Sequence, residues 1–336
     1  MVTQRTPSHG RVLPNDPVDA GVPPASRALY ADRPHHLDWP SWWHAVRNVL
    51  NAAIDMEVSM RCAGVAYYSF LSIFPAVASA ILVFGLVTDI SFIEGRYQVV
   101  LDLLPEQAEV MLNDQIVALL TNTNRSLGIG LVVSLTIALW TGSRGTNALV
   151  YAISRAHRED GLRSIVGSVA MSIVTTFGVF AVILVSLIGL AVVPAMTSAL
   201  PFDRFAELLA LWLRWPILLT IIFASVCILY RVAPHRRRPR WRWVMPGALF
   251  ATLAWLGASA LFSLYVENFA NYNATFGALA APVIMLLWLY WSTLIFILGA
   301  TLNAELELQT RKDTTAGPDR PMGERGAYVA DNMATR

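Results

Sequence analysis

Lysine is nearly absent from this chain: Lys312 stands alone among basic residues that are otherwise arginine, a bias that points to a GC-rich bacterial gene. Cysteine, histidine and charge are scarce too, and each shortage excludes something. The 2 cysteines, Cys62 and Cys227, both fall in apolar stretches, where they read as small hydrophobes and indicate neither a disulfide nor a thiolate metal site. The 6 histidines (His9, His35, His36, His44, His157 and His235) lie outside the long apolar segments, isolated except for one adjacent pair. No metal-ligand spacing, phosphate-cradling glycine loop or nucleophile motif accompanies them. A hydrolytic nuclease needs a cage of carboxylates or imidazoles, or an acid and a base converging on a phosphate. We therefore expect no enzyme, no catalytic residue, no metal and no cofactor. An ATPase motif is missing as well, which leaves any transport passive, ion-coupled or driven by a partner.

What the chain has in quantity is hydrocarbon. Hydrophobic residues make up 55% of it and charged ones only 14%, with 11 tryptophans and a mean hydropathy of +0.51, well outside the soluble globular range. Twenty apolar residues in a helix span about 30 Å, the thickness of a bilayer's hydrocarbon core. The expected fold is all-α: a polytopic membrane domain over 41–308 whose six transmembrane helices lie near 63–87, 127–150, 165–193, 209–232, 244–266 and 279–302. The first long apolar run begins only near Gly64, so no signal peptide is expected. Proline-rich residues 1–40 and polar residues 309–336 read as disordered cytoplasmic tails. Between Ser41 and Met60, Trp43, Val46, Leu50, Ala53 and Ile54 recur at helical spacing, as in an amphipathic helix on a membrane surface. Residues 88–125 form an acidic outer loop with two short amphipathic helices and offer a surface for envelope protein partners.

Polar residues inside these spans are the candidates for function, because they are costly in lipid unless they face a cavity or a partner. Tyr67 and Tyr68 open the first span, and Arg144 lies near or just inside the membrane boundary of the second. The hairpin Phe262–Pro282 packs Glu267, Asn268, Asn271 and Tyr272 between two long apolar runs at the outer face. Asn303 and Glu305 stand with Glu307 at the end of the last span, where carboxylates are ordinarily solvated. The densest charge, RVAPHRRRPRWRW, places Arg236, Arg237, Arg238 and Arg240 between the fourth and fifth spans. Short basic loops stay in the cytoplasm and attract anionic headgroups, so this loop fixes both termini inside and is a candidate headgroup site. It is too short and too close to the membrane to indicate nucleic-acid binding.

Five stretches together resemble the YihY/BrkB family: AYYSFLSIFP (Ala66 to Pro75), ALWTGSRGTNAL (Ala138 to Leu149), the PGA at Pro246, SLYVENFANYNATFGALAA (Ser263 to Ala281) and LNAELE (Leu302 to Glu307). The resemblance runs from about Trp43 to Leu308. It implies a six-helix protein of the bacterial inner membrane, from a family once mislabelled ribonuclease BN and associated with virulence and with movement of lipids. This chain departs from the family pattern at Phe276, Ala278 and Ala280, and has Thr301 where relatives often carry an acid. The function implied is phospholipid transport, with membrane lipids as partners. Tyr67, Tyr68, Arg144, Glu267, Asn268, Asn271, Tyr272, Asn303 and Glu305 would line the substrate pathway. Carriage of another small solute and non-transporting scaffolding of envelope proteins remain the alternatives.

Overall fold

The structure is a computed structural model that describes residues 29–87, 124–159, 204–268 and 280–334, with helical residues at 167, 170–171, 173–178 and 181–182. The outer loop 88–125 lies almost wholly outside these residues, as do Asn271 and Tyr272 of the hairpin. Among the described residues the chain is all-helical, with one isolated β-bridge between Pro239 and Thr315. We number the helices α1 (Trp39–Ala53), α2 (Met56–Val87), α3 (Asn124–Ala156), α4 (Arg204–Val232), α5 (Trp241–Asn268), α6 (Ala280–Glu307) and α7 (Tyr328–Asp331).

Helix α1 begins where Asp38 accepts a hydrogen bond from the Ser41 N–H (3.2 Å), with Pro40 in the first turn, where its missing N–H costs nothing. Its small residues Ser41, Ala45 and Val49 are buried, the last two against Trp243 of α5 and Leu302 and Leu306 of α6. The stripe Trp43, Val46, Leu50 and Ile54 stays exposed on the other side, as an interfacial helix requires. The helix expected over 41–60 breaks at Ile54–Asp55, and the Asp55 carboxylate accepts from the Glu57 N–H (2.7 Å) to start α2.

Helices α2 and α3 run antiparallel through small residues. A side chain at Gly145 would lie 3.3 Å from the Ser69 backbone nitrogen and hydroxyl, and Gly142 faces Ser72. Thr146 extends the contact through a 3.0 Å hydrogen bond to Thr176. Small and hydroxylated residues let helices approach this closely in a bilayer. Among the described residues three helices are long and apolar enough to cross a membrane, over Trp215–Val232, Trp241–Val266 and Ala281–Glu307. Their outer surfaces expose Trp212, Trp215, Leu249, Leu253, Leu261, Leu264, Val283 and Trp291, an apolar area that water would not tolerate and lipid solvates.

Among the described residues Trp243, Val244, Ala304, Leu306 and Leu308 are buried at one end of the bundle, where α4 and α6 finish and α5 starts. Here the expectation of a disordered tail over 309–336 is corrected for the described residues up to Ala334. Leu308 and Val329 are buried together, and the backbone of 311–334 bonds to Leu29, Arg238 and Leu308. The same holds for 29–40, where Ala31, Pro34 and Leu37 are buried and the Thr310 hydroxyl donates to the Ala31 carbonyl (2.8 Å). Both segments order because they supply partners to charges on the helix ends.

Candidate functional site

The last two turns of α6 carry three polar side chains that point in three directions. Asn303 reaches α5, accepting from the Gly247 N–H (2.7 Å) and donating to the Val244 carbonyl (3.0 Å). Those two groups flank Pro246, whose ring removes one backbone donor from the helix, so the Asn303 carboxamide splints α5 where proline weakens it. Glu305 turns toward α1 and α3. It accepts from Asn48 (2.6 Å) and from Arg158 (2.7 Å), which sits in the turn just after α3 in the left-handed conformation at φ 58°.

Glu307 faces the arginine loop and is fully buried, with its Arg236 partner 1% exposed. The guanidinium grips the carboxylate with two bonds of 2.9 and 2.7 Å, and the Thr314 hydroxyl adds a third of 2.7 Å. Two-point, charge-assisted pairing of this kind offsets the large cost of taking both ions out of water. Asp313, the next buried carboxylate, accepts from the Thr315 N–H and hydroxyl and from the Arg320 N–H, with Arg237 at 3.6 Å. Burial pushes its carboxyl up, but the Thr315 bonds, the Arg320 N–H and the Arg325 charge outweigh that and hold it below the usual range.

His157 is buried beside this layer with Nδ1 on the Ile153 carbonyl (2.9 Å). Burial, and then the charge of Arg236, push its imidazole down to about 3 from an ordinary 6.5. The folded protein therefore refuses a proton that the unfolded chain accepts below pH 6.5, and stability is lost as pH falls from 6.5 toward 3. Between pH 6.5 and 5 this group alone should remove about 2 kcal/mol. Thermal unfolding in detergent should show an acid slope that His157→Gln flattens, and an unchanged slope would remove His157 as its source.

The sequence-predicted site residues divide. Asn303 and Glu305 meet in the charged layer. Tyr67 and Tyr68 pack edge to ring on α2 with centroids 5.4 Å apart, Tyr67 exposed. Arg144 is exposed on α3, its guanidinium 5.6 Å from the Trp140 ring centroid. Glu267 and Asn268 end α5. The headgroup assignment of the arginine loop changes for three of its four residues. Arg236 is consumed by Glu307, Arg237 bonds the Pro318 carbonyl and pairs with Asp313, and Arg240 pairs with Asp319 and bonds the Thr315 carbonyl. Arg238 keeps an exposed side chain. Glu307, Asp313 and Arg325 were not read as functional in the sequence. Arg325 donates to the Arg311 (2.7 Å), Ala330 (2.6 Å), Lys312 and Arg320 carbonyls and so locks the terminal segment.

Two apolar grooves adjoin α5. One, of about 510 Å³, lies between α5 and α6 on the side of Glu267, walled by Phe262, Val266, Ile284, Met285 and Trp288. The other, of about 900 Å³, lies at the charged end between α4, α5 and the Arg33–Trp42 segment.

The family model described as virulence factor BrkB matches residues 49–323. A putative ribonuclease-like protein, YfkH of Bacillus subtilis, is 33% identical over 260 residues, which cover 74% of this chain and 90% of that protein. A UPF0761 membrane protein of Pseudoalteromonas translucida is 24% identical over 285 residues, 82% of this chain and 89% of its own length. Another, from Idiomarina loihiensis, is 32% identical over 120 residues, 35% of this chain and 42% of its own. No solved structure matches. With the match extending from α1 through the ionic layer into the terminal segment, the chain belongs to the BrkB family and is an integral membrane protein.

Proposed function

We propose that this protein moves phospholipid within the bacterial inner (cytoplasmic) membrane, which it crosses six times with both termini in the cytoplasm. The observation that carries the reading is the groove between α5 and α6. Among the described lining residues the polar side-chain groups are the hydroxyls of Ser259 and Ser263 and the indole N–H of Trp288, and the Ser259 hydroxyl is turned back onto the Trp255 carbonyl (2.7 Å). Such a mostly apolar surface suits an acyl chain and gives a polar solute few groups to bond. The six-span topology is supported by the way the ends of α3, α4 and α6 and the start of α5 share one arginine-rich layer, since short basic loops stay cytoplasmic.

The reading is non-enzymatic. Among the described residues no group of three histidine, cysteine, aspartate or glutamate side chains could hold a metal, and the buried carboxylates Glu305, Glu307 and Asp313 are engaged by other groups of the protein. The ribonuclease-like name belongs to the Bacillus relative.

The test is exchange of a labelled phospholipid between the leaflets of reconstituted liposomes. Wild type should exchange lipid, and a Glu267→Ala, Arg144→Ala double variant should lose most of that activity. Absence of exchange from folded protein would reject unaided transport and favour a scaffold acting through loop 88–125. Deletion of 91–122 with co-purification of envelope partners would then test the scaffold.

A further inference from the structure

The second groove has the shape of one leaflet. Its walls include Phe223 of α4 and Met245, Leu249, Phe250 and Leu253 of α5, and those of α5 are exposed on the membrane side of the helix. From Arg242 at the rim to Leu253 at the floor, α5 rises about 16 Å, half of a ~30 Å hydrocarbon core. The rim is polar where the walls are not: Arg33, His35 and Arg242 line it.

The rim is also held in place. Trp42 donates its indole N–H to the Pro34 carbonyl (3.2 Å), Pro34 and Leu37 are buried, and Arg311 and Thr310 of the terminal segment bond the Leu29 and Ala31 carbonyls. Arg33 is therefore an exposed cation on an ordered segment. Of the neighbouring charges, Asp32 pairs with Arg242 (2.7 Å) and Asp319 with Arg240, so two carboxylates offset two guanidinia and the charge of Arg33 leaves the rim net positive.

We infer that this groove binds an anionic phospholipid of the leaflet at the charged end, its acyl chain along α5 from Met245 to Leu253 and its phosphate at Arg33, His35 and Arg242. Basic pockets beside membrane helices recognise anionic headgroups by this combination of charge and hydrocarbon. The site goes beyond the transport reading, because a protein that exchanged no lipid would still hold this one.

Native mass spectrometry of the full chain, released from micelles containing equal phosphatidylglycerol and phosphatidylcholine of matched chains, tests it. Wild type should retain phosphatidylglycerol preferentially. Arg33→Ser with His35→Ser, both exposed positions, should reduce that retention roughly fivefold. Leu249→Trp should fill the groove and lower retention of the lipid with the rim intact. Equal retention of the two lipids, or a preference untouched by all three substitutions in protein of unchanged unfolding temperature, would overturn the assignment. Displacement of phosphatidylglycerol by inorganic phosphate alone would also overturn it, since the site would then read an anion and not a lipid.

Discussion

Replacing Gly247 by alanine is expected to unfold the α5–α6 pair at temperatures the wild type withstands. A Cβ there would be driven into the Gly299 carbonyl oxygen and would lie 2.6 Å from the Asn303 carboxamide. Gly299 is as tightly enclosed: its own Cβ would stand 2.5 Å from the Tyr230 hydroxyl, 2.7 Å from the Gly247 carbonyl and 2.9 Å from Ala251 Cβ. The obstacles are mostly backbone and short side chains, so no flexible group can swing aside. Separating the helices would also break the two bonds by which Asn303 splints Pro246. Overpacking costs about 1–3 kcal/mol, and a buried polar group left unpaired costs a similar amount again. We expect a total near 3–5 kcal/mol for Gly247→Ala, read as a fall in unfolding temperature in detergent or nanodiscs. Gly257→Ala is the internal control, because a Cβ there meets nothing within 4 Å and improves helix propensity. Equal unfolding temperatures for the two variants would show that the glycine contact does not hold the pair.

That contact explains why PGA and LNAELE stand out in the sequence while their purpose does not. The apolar runs of α4, α5 and α6 were readable because twenty residues of hydrocarbon have one physical use, and the structure puts the apolar helices over Trp215–Val232, Trp241–Val266 and Ala281–Glu307. Asn303 was readable as a costly polar residue near the membrane, but its partners, the Gly247 N–H and the Val244 carbonyl, are backbone groups of another helix. Side-chain periodicity carries no information about them. The terminal segment departs from its expectation for a different reason. A polar, proline- and glycine-containing stretch cannot make its own core, and composition alone assigns it to disorder. It folds because Asp313 and Asp319 meet Arg237 and Arg240 of the arginine loop, and because Thr314 bonds Glu307 at the end of α6. Complementary charge on the two segments was the available signal, but six arginines in a juxtamembrane loop are equally well explained by topology and headgroups. The transport pathway was inferred partly from Asn271 and Tyr272, which lie outside the described residues, and from Arg144, which the structure leaves exposed beside Trp140.

The Arg236–Glu307 pair should behave as a latch on that terminal segment. Neither ion is accessible to water, so removing one leaves the other buried without its counter-charge, a loss of about 3–5 kcal/mol. Thr314 would remain on Glu307 in Arg236→Met, but a single hydroxyl cannot replace a two-point guanidinium. Replacing both residues by methionine removes both desolvation costs together. The double variant should therefore be more stable than the sum of the single effects predicts, and not far from wild type. Limited proteolysis supplies the local readout. In each single variant, tryptic cleavage after Arg325 should accelerate at temperatures where the spans stay folded, because the segment that carries Thr314 and the Pro239–Thr315 bridge loses part of its anchor. Release should leave the Asn303 splint intact, since its bonds to α5 lie one turn deeper along α6 and do not use the arginine loop. Strictly additive single effects, or cleavage only when the whole domain melts, would mean that the ionic layer contributes to the bundle as a whole and that the latch does not exist as a separate element.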